Sequence, residues 1–488
     1  MVNSVITIED LKKKVTSYNK KDWDIIEKAY FYAEKHHKNQ KRASGEDYIV
    51  HPLNVAYILS SMHADSDTLC AALLHDVVED TKASINELKD EFNETVAYLV
   101  DGVTKLSKMN FGSKDEQTAS NIRRIIVSIR EDARIIIIKL VDRLHNMRTL
   151  EYKKANRQQA IALETLEIYV PMAYYIGAYR IKDELENISF RYLKPNESRE
   201  LEKKLNTIYH DSKKMLNKMA LNVKKALKQE NIKCHLEIRF KDPYSVYKKM
   251  ITKSTTENIH DLIGIKVIVN DIKDCYLALM IIHSLYPPVS YKFKDYIVKP
   301  KTNMYKALHT TVFGNNNRLV QFQIRTKEME RIAIYGLTSY WFKNRTFAHQ
   351  KIQKDLEDKY QFFKSIKELD SSIADNIEFV NQVKTEIFGT NIYVRTTQGE
   401  VVELPVNSTP IDFAYKIHTD IGNTMIAAIV NDEVVPFDYR LKSNDRVRIV
   451  TDEKAFVPKS DWIDKVVTTH AKREIMEFIR EHNDILDK

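Results

Sequence analysis

Glycine and proline are scarce, 10 and 11 in a chain of 488 residues. That poverty excludes collagen-like structure and long disorder, and it argues against folds built on glycine-rich phosphate loops. Neither G-x-G-x-x-G nor G-x-x-x-x-G-K occurs. The three cysteines, Cys70, Cys234 and Cys275, are too few and too far apart for a disulfide framework or a thiolate zinc site. They read as small apolar core residues. Long hydrophobic runs are missing as well. The longest apolar cluster, Ile135 to Val141, is interrupted by Lys139, and it falls far short of the ~20 residues a membrane helix needs. The first ten residues lack the apolar stretch and cleavage site of a secretory signal. No membrane span and a cytoplasmic location are therefore expected.

The composition, 30 % charged and 43 % hydrophobic, is that of a globular protein. A formal charge of +8 from 76 basic and 68 acidic residues permits anionic ligands without identifying them. The length suits about three domains at ~100–200 residues each. From Asp22 to about Leu193, apolar residues recur at three- and four-residue spacing, which predicts a helical domain. A lysine-rich helical stretch over 197–230 reads as a solvated face or connector. The pattern then alternates strand-type runs (236–240, 263–269, 309–313, 319–326) with helices, predicting an α+β domain. The expected division is 1–196 helical, 197–348 α+β, 349–388 a helical linker, 389–453 a small β-rich domain and 454–488 an amphipathic helical tail beginning near 458. No internal repeat is visible.

One segment of the helical domain carries unusual chemistry. In His75-Asp76-Val77-Val78-Glu79-Asp80, helical spacing puts His75 above Glu79 and Asp76 above Asp80, so four polar groups crowd one side of an apolar helix. Burying such carboxylates without a cation costs several kcal/mol each. A lone His-Asp pair is ordinarily a surface dipeptide. Here, however, His51 opens another helix ahead of Pro52, and Asp142, His145 and Asn146 share a face at i, i+3 and i+4. Imidazoles and carboxylates without thiolates suit a divalent ion of the Mn/Fe/Zn type, and two of each leave coordination positions open for hydrolytic chemistry.

His51, His75-Asp76 and Asp142, in that order, match the HD phosphohydrolase pattern. The strings RASGEDYIVHP (42–52), LLHDVVEDT (73–81), VDGVTKL (100–106) and DRLHNMRTL (142–150) resemble the hydrolase domain of the RelA/SpoT (Rel) family, the long alarmone synthetase/hydrolases. The resemblance implies an all-α HD-type domain that hydrolyses the 3′-pyrophosphate of guanosine 3′,5′-bis(diphosphate) and its pentaphosphate, using Mn2+. It implies that His51, His75, Asp76 and Asp142 hold the metal and that Glu79 and Asp80 handle the attacking water. Arg42, Ser44, Asn146 and Thr149 then match substrate-side positions, with Arg148 in the same string. Ala43 departs from the lysine of many relatives.

The α+β segment is similar to the same family's nucleotidyltransferase-like synthetase domain, which moves the β,γ-pyrophosphate of ATP to the 3′-hydroxyl of GTP or GDP with Mg2+. The matching strings are RFKDPYSVYKKM (239–250), DLIGIKVIV (261–269), KFKDYIVKPKTNMYKALHTTVFG (292–314) and QFQIRTKEM (321–329). The resemblance implies that Arg239 and Lys241 meet ATP phosphates, that Asp261 binds magnesium and that Tyr305 stacks on guanine. Lys294, Lys301, His309 and Arg325 complete a basic pocket. Several positions depart from the pattern: Gln321 replaces the second catalytic glutamate, Met304 a glycine, Lys306 a glutamine and Lys266 an arginine. Glu330, Ile334 and Tyr340 stand where the family has His, Glu and His. An amide carries no charge and cannot act as a base, so a weak or inactive synthetase domain is expected. Retained synthesis, making the protein bifunctional, is the alternative.

Residues 391–451 resemble a TGS domain, a small β-grasp module that in longer relatives contacts deacylated tRNA on the ribosome; His418 matches the contact position. A purely structural role for this histidine is the rival reading. After 460–479 the family pattern ends, and the later zinc-finger-like and ACT modules have no counterpart, so the sequence reads as C-terminally truncated, without stable ribosome docking. A regulator that binds tRNA or the ribosome, with catalysis secondary, is the remaining alternative.

Overall fold

The computed structural model describes residues 6–16, 18–62, 64–107, 120, 123, 132–253, 262–298, 300, 305–314, 318–336, 369–371, 373–383, 385, 391–452 and 458–486. The chain divides into two compact units, residues 1–109 with 128–361, and 110–127 with 362–488. Asp261, Lys301, Met304, Tyr340 and most of the expected linker at 349–388 lie outside the described residues.

The first unit begins with packed helices, several of them capped by short polar side chains. Asn19 caps Lys20–His36 by accepting from the Asp22 amide, and Asp65 caps Ser66–Leu74 by accepting from the Thr68 amide. Asp132 caps Ala133–Arg148 and, though buried, is held by the Arg134 guanidinium at 2.9 Å. Helices Val50–Ser61, Ser66–Leu74 and Ala133–Arg148 are apolar over most of their surfaces because all three lie inside the domain, where Leu59, Leu69, Leu73, Ile136 and Val141 are fully buried.

The stretch around His75 does not form the single continuous helix expected. Helix Ser66–Leu74 stops at His75, and a separate turn, Val77–Asp80, follows. The break has a local cause: His75 Nδ1 donates to the Ala72 carbonyl at 2.8 Å, engaging the acceptor that the next helical turn would use. His75 and Asp76 thus lie in the junction between two helical segments, with their backbone dihedrals still helical.

Beyond the long helix Pro195–Gln229 lies a five-stranded sheet of order β1-β2-β5-β4-β3, formed by β1 His235–Phe240, β2 Ile263–Val269, β3 Lys294–Asp295, β4 Leu308–Phe313 and β5 Leu319–Thr326. Only β2 and β5 pair in parallel; the other pairs are antiparallel. One face carries Ile265, Val267, Phe322 and Ile324, packed with Leu216, Met219 and Val223 of the long helix and Ile282 of helix Ile272–Leu285. Period-two alternation sends the polar residues to the opposite face. Across that face the register aligns Glu237, Lys266, Gln323, His309 and Lys294, one from each strand.

The second unit holds another five-stranded sheet, order β7-β6-β10-β8-β9, from β6 Asn391–Thr396, β7 Val401–Pro405, β8 Met425–Val430, β9 Glu433–Val435 and β10 Arg446–Thr451. Helix Pro410–Ile417 crosses it, burying Ile411, Ala414 and Tyr415 against Met425 and Ala428, as a β-grasp does. The tail helix begins at Thr469 rather than near 458; a short turn, Ser460–Trp462, precedes it and buries Trp462. Asp412 ties the two segments together, accepting from the Thr468 amide at 2.8 Å and the Val467 amide at 3.0 Å.

Candidate metal centre and basic cavity

Three helical segments bring His51, His75 and Asp142 together, with one ligand atom of each within 4.8 Å of the others. Asp142 Oδ1 lies 3.1 Å from His51 Nε2 and 3.8 Å from His75 Nε2. Asp76 closes the group, its Oδ1 3.2 Å from His75 Nε2 and its Oδ2 3.6 Å from His51 Nε2. Both imidazoles are almost wholly buried, 1 % exposed.

The residues fit a divalent cation for an electrostatic reason. Because His75 Nδ1 donates its proton to the Ala72 carbonyl, Nε2 presents a lone pair, and that buried atom has no hydrogen-bond partner. A lone pair facing two carboxylates calls for a proton or a metal between them. With the proton, burial would depress the His75 pKa, but the carboxylates of Asp76 and Asp142 override it and lift it to about 9. His51 is pushed below its ordinary value by burial, against the pull of Asp142 and Asp76. Its Nδ1 meets His145 Nδ1 at 2.7 Å. Burial, then His51 and Arg42, lower His145 to about 3, so His145 is neutral and one proton is shared across that contact.

Polar neighbours fix the carboxylates. Lys139 Nζ donates to Asp142 Oδ2 at 2.7 Å, and Asn146 Nδ2 donates to Asp142 Oδ1 at 2.6 Å. Burial alone would raise Asp142, but Lys139 and the two histidines hold it well below the usual carboxylate range. Asp76 is likewise held low, with His75 and His51 outweighing its burial. Tyr48 hydroxyl reaches Asp76 Oδ2 at 3.0 Å and Asp80 Oδ2 at 2.6 Å; burial and then Asp76 push its pKa up, so it remains a phenol.

The other sequence-derived positions fall around this core. Arg42 Nη2 donates to Asn146 Oδ1 at 2.9 Å, so its guanidinium stands at the edge of the cluster. Glu79 and Asp80 are exposed on the short turn beyond Asp76. Ser44 is bonded to Glu46 at 2.9 Å, and the Thr149 hydroxyl returns to the His145 carbonyl at 3.2 Å. Sequence reasoning assigned no role to Tyr48, Lys139 or His145. Their signal was spacing: Tyr48 lies three residues before His51, Lys139 three before Asp142 and His145 three after it.

The polar face of the first sheet floors a cavity of about 1820 Å³ in the same unit, larger than the ~300–1,000 Å³ of an ordinary small-ligand pocket. Arg239, Lys241, Lys294, Tyr305, His309, Gln321 and Arg325 all line it, as does Ile334. The Tyr305 hydroxyl bonds His309 Nε2 at 2.7 Å, and the Arg325 guanidinium lies 5.3 Å from the Tyr305 ring centre. Gln321 Oε1 accepts from Gln323 Nε2 at 3.1 Å, and Gln323 Oε1 accepts from Arg325 Nη2 at 3.0 Å. In the second unit His418 caps the turn Thr419–Asn423, its Nδ1 accepting from the Asp420 amide at 3.2 Å, while its side chain remains 65 % exposed.

The architecture is therefore a helical His/Asp domain joined to a mixed-sheet domain with a basic cavity, followed by a β-grasp module. Residues 29–178 match the HD domain family, 238–346 the region found in RelA / SpoT proteins, and 392–451 the TGS domain. The chain is 41 % identical over 94 % of its length to the GTP pyrophosphokinase of Myxococcus xanthus, covering 61 % of that protein. It is 39 % identical over 97 % of its length to the guanosine-3′,5′-bis(diphosphate) 3′-pyrophosphohydrolase of Aquifex aeolicus (strain VF5), covering 67 % of it. Identity and coverage are the same for the bifunctional (p)ppGpp synthase/hydrolase SpoT of Escherichia coli (strain K12). The chain thus spans about two thirds of the length of these relatives. It belongs to the RelA/SpoT family. Among the described residues no helix is long and apolar enough to cross a membrane.

Proposed function

We propose that the chain is an alarmone 3′-pyrophosphohydrolase acting in the cytoplasm on guanosine 3′,5′-bis(diphosphate) and its pentaphosphate form. The observation that carries this reading is the convergence of His51, His75 and Asp142 on one buried point, with Asp76 as fourth ligand and manganese as the ion. When bound, that ion supplies polarisation of a phosphoryl oxygen and a more acidic water. The protein's own groups do the rest. Arg42, placed by Asn146, offsets phosphate charge with a guanidinium suited to paired oxygens. Glu79 and Asp80 take the proton of the attacking water, and Tyr48 orients Asp80. Ser44 and Thr149 lie on the substrate side.

Release of pyrophosphate fixes which phosphorus is attacked. Water oxygen bonds to the phosphorus attached to the ribose 3′-oxygen, the bond to that oxygen breaks, and the ribose oxygen takes a proton, leaving GDP or GTP and pyrophosphate. Attack at the outer phosphorus would instead yield orthophosphate.

The synthetase-like domain is read as unable to transfer pyrophosphate at an appreciable rate, because the Gln321 amide occupies a position where a carboxylate would bind magnesium. The observation favouring the bifunctional alternative, with ATP and GDP or GTP as substrates, is the cavity itself, which retains Arg239, Tyr305 and Arg325. Exposure of His418 favours a tRNA or ribosome contact through the TGS domain. Purified protein given manganese and the tetraphosphate should release GDP and pyrophosphate, whereas magnesium with ATP and GDP should yield no tetraphosphate. Product in both reactions would establish bifunctionality, and product in neither would leave the binding role. Loss of hydrolysis in His75→Gln is expected alongside loss of the ion; hydrolysis surviving in that variant would remove the proposal.

A further inference from the structure

The basic cavity contains its own anion. Glu330, in the first turn of helix Lys327–Tyr335, lines the cavity but is only 7 % exposed. Its Oε1 lies 2.6 Å from Lys266 Nζ, and its Oε2 lies 2.9 Å from Arg325 Nε. The second contact is a charge contact without hydrogen-bond geometry, since both Arg325 Nε and Glu330 Oε2 lack a hydrogen-bond partner. Arg325 is itself 4 % exposed and is tethered on its other side through Gln323. A buried guanidinium and a partly buried ammonium on the cavity floor thus share one carboxylate, and the guanidinium keeps a donor that a better-placed oxygen could use.

A carboxylate between a guanidinium and an ammonium does what a phosphate oxygen would do there. An incoming pyrophosphate group must either displace Glu330 or lie beside it, and like charges in a poorly hydrated site repel strongly. The helix start also favours an acidic residue where Glu330 stands, so the carboxylate does not leave at no cost. Lys266 has a second partner, Glu237, at 3.0 Å, but Glu237 is exposed and is not among the residues lining the cavity.

We propose that Glu330 is an internal counter-ion occupying the polyphosphate end of this cavity, and that it sets how tightly the pyrophosphate moiety of a nucleotide is held. The inference rests on the reading of the cavity as a nucleotide site. Removing the charge while keeping the shape should strengthen anion binding and increase its dependence on salt.

The test is calorimetric titration of the full chain with inorganic pyrophosphate, chelator being present so that the hydrolytic centre holds no ion. Glu330→Gln is expected to bind about tenfold more tightly than the unaltered chain, as the loss of one close like charge predicts. Pyrophosphate should also raise its melting temperature by more. Glu237→Gln should stay within about twofold, being a partly exposed carboxylate remote from Arg325. Glu330→Asp, which keeps the charge but shortens the reach, should fall between and serves if the glutamine variant fails to fold. Equal or weaker binding by Glu330→Gln would overturn the inference, as would an equal gain in Glu237→Gln. Equal binding by all variants refutes the counter-ion alone, whereas no binding by any refutes the nucleotide reading of the cavity as well.

Discussion

The Lys139 ammonium donates to Asp142 Oδ2 at 2.7 Å, leaving Oδ1 to face His51 and His75. One turn of helix separates the two residues, so the cation that neutralises the buried carboxylate and the carboxylate itself come from the same element. Neither is stable there alone. Lys139→Met should therefore cost about 3–5 kcal/mol of folding stability in the ion-free protein, the usual result of stranding one buried charge. It should also weaken divalent-ion binding by about 10–100-fold. Thermal unfolding with and without manganese measures both, and unchanged metal affinity would reduce Lys139 to a packing residue.

Tyr48 joins Asp76 to Asp80 through its hydroxyl. Tyr48→Phe keeps the ring but releases both carboxylates, and kcat for alarmone hydrolysis is expected to fall about 10–100-fold with little change in KM. A rise in KM at constant kcat would instead make Tyr48 a substrate contact.

The His75 pKa of about 9 in the ion-free protein gives a pH dependence of defined sign. Because the folded value lies above the ordinary 6.5, its stabilising contribution is complete below 6.5 and disappears as pH rises through about 9. A metal must displace that proton. Ion affinity should accordingly increase with pH across this window, with proton release detectable by titration in buffers of different ionisation enthalpy. In the ion-free protein, His75→Gln should remove the stability loss across this window; a loss that persists belongs to another group.

Hydrolysis in water enriched with the heavy oxygen isotope should place the label in pyrophosphate and none in the ribose 3′-hydroxyl. Mass spectrometry of the nucleotide and of the pyrophosphate decides this. Label in the nucleotide product would mean attack at carbon, and labelled orthophosphate would mean attack at the outer phosphorus.

Gly264 of β2 stands directly opposite Gln321 of β5. A Cβ there would lie 2.6 Å from the Gln321 main-chain carbonyl, which cannot move without breaking the β2–β5 ladder. Gly264→Ala should destabilise the protein by about 1–3 kcal/mol, the range for overpacking in a well-filled interior. Denaturant unfolding checks the figure, and a smaller loss would show that the strands can separate.

Much of this protein was written locally. The period of the apolar residues marked the helical domain, the alternation in IGIKVIV and LVQFQIRT marked strands, and the strings around His51, His75 and Asp142 carried the family. Local patterns erred where side chains compete with the backbone: His75 takes the Ala72 carbonyl and interrupts an expected continuous helix. The tail helix begins late for a related reason, because its preceding segment is bound to Asp412, a partner far away in sequence.

Only the folded chain decided which charges meet. Glu237, Lys266, Gln323, His309 and Lys294 become one row through the register of five strands. Glu330 finds Arg325 and Lys266 because a helix start is folded over that row. Periodicity along the chain reports the face on which a residue lies. Charge pairing depends on distances of a few ångströms between elements remote in sequence, and those distances exist only once the sheet and its helices have packed.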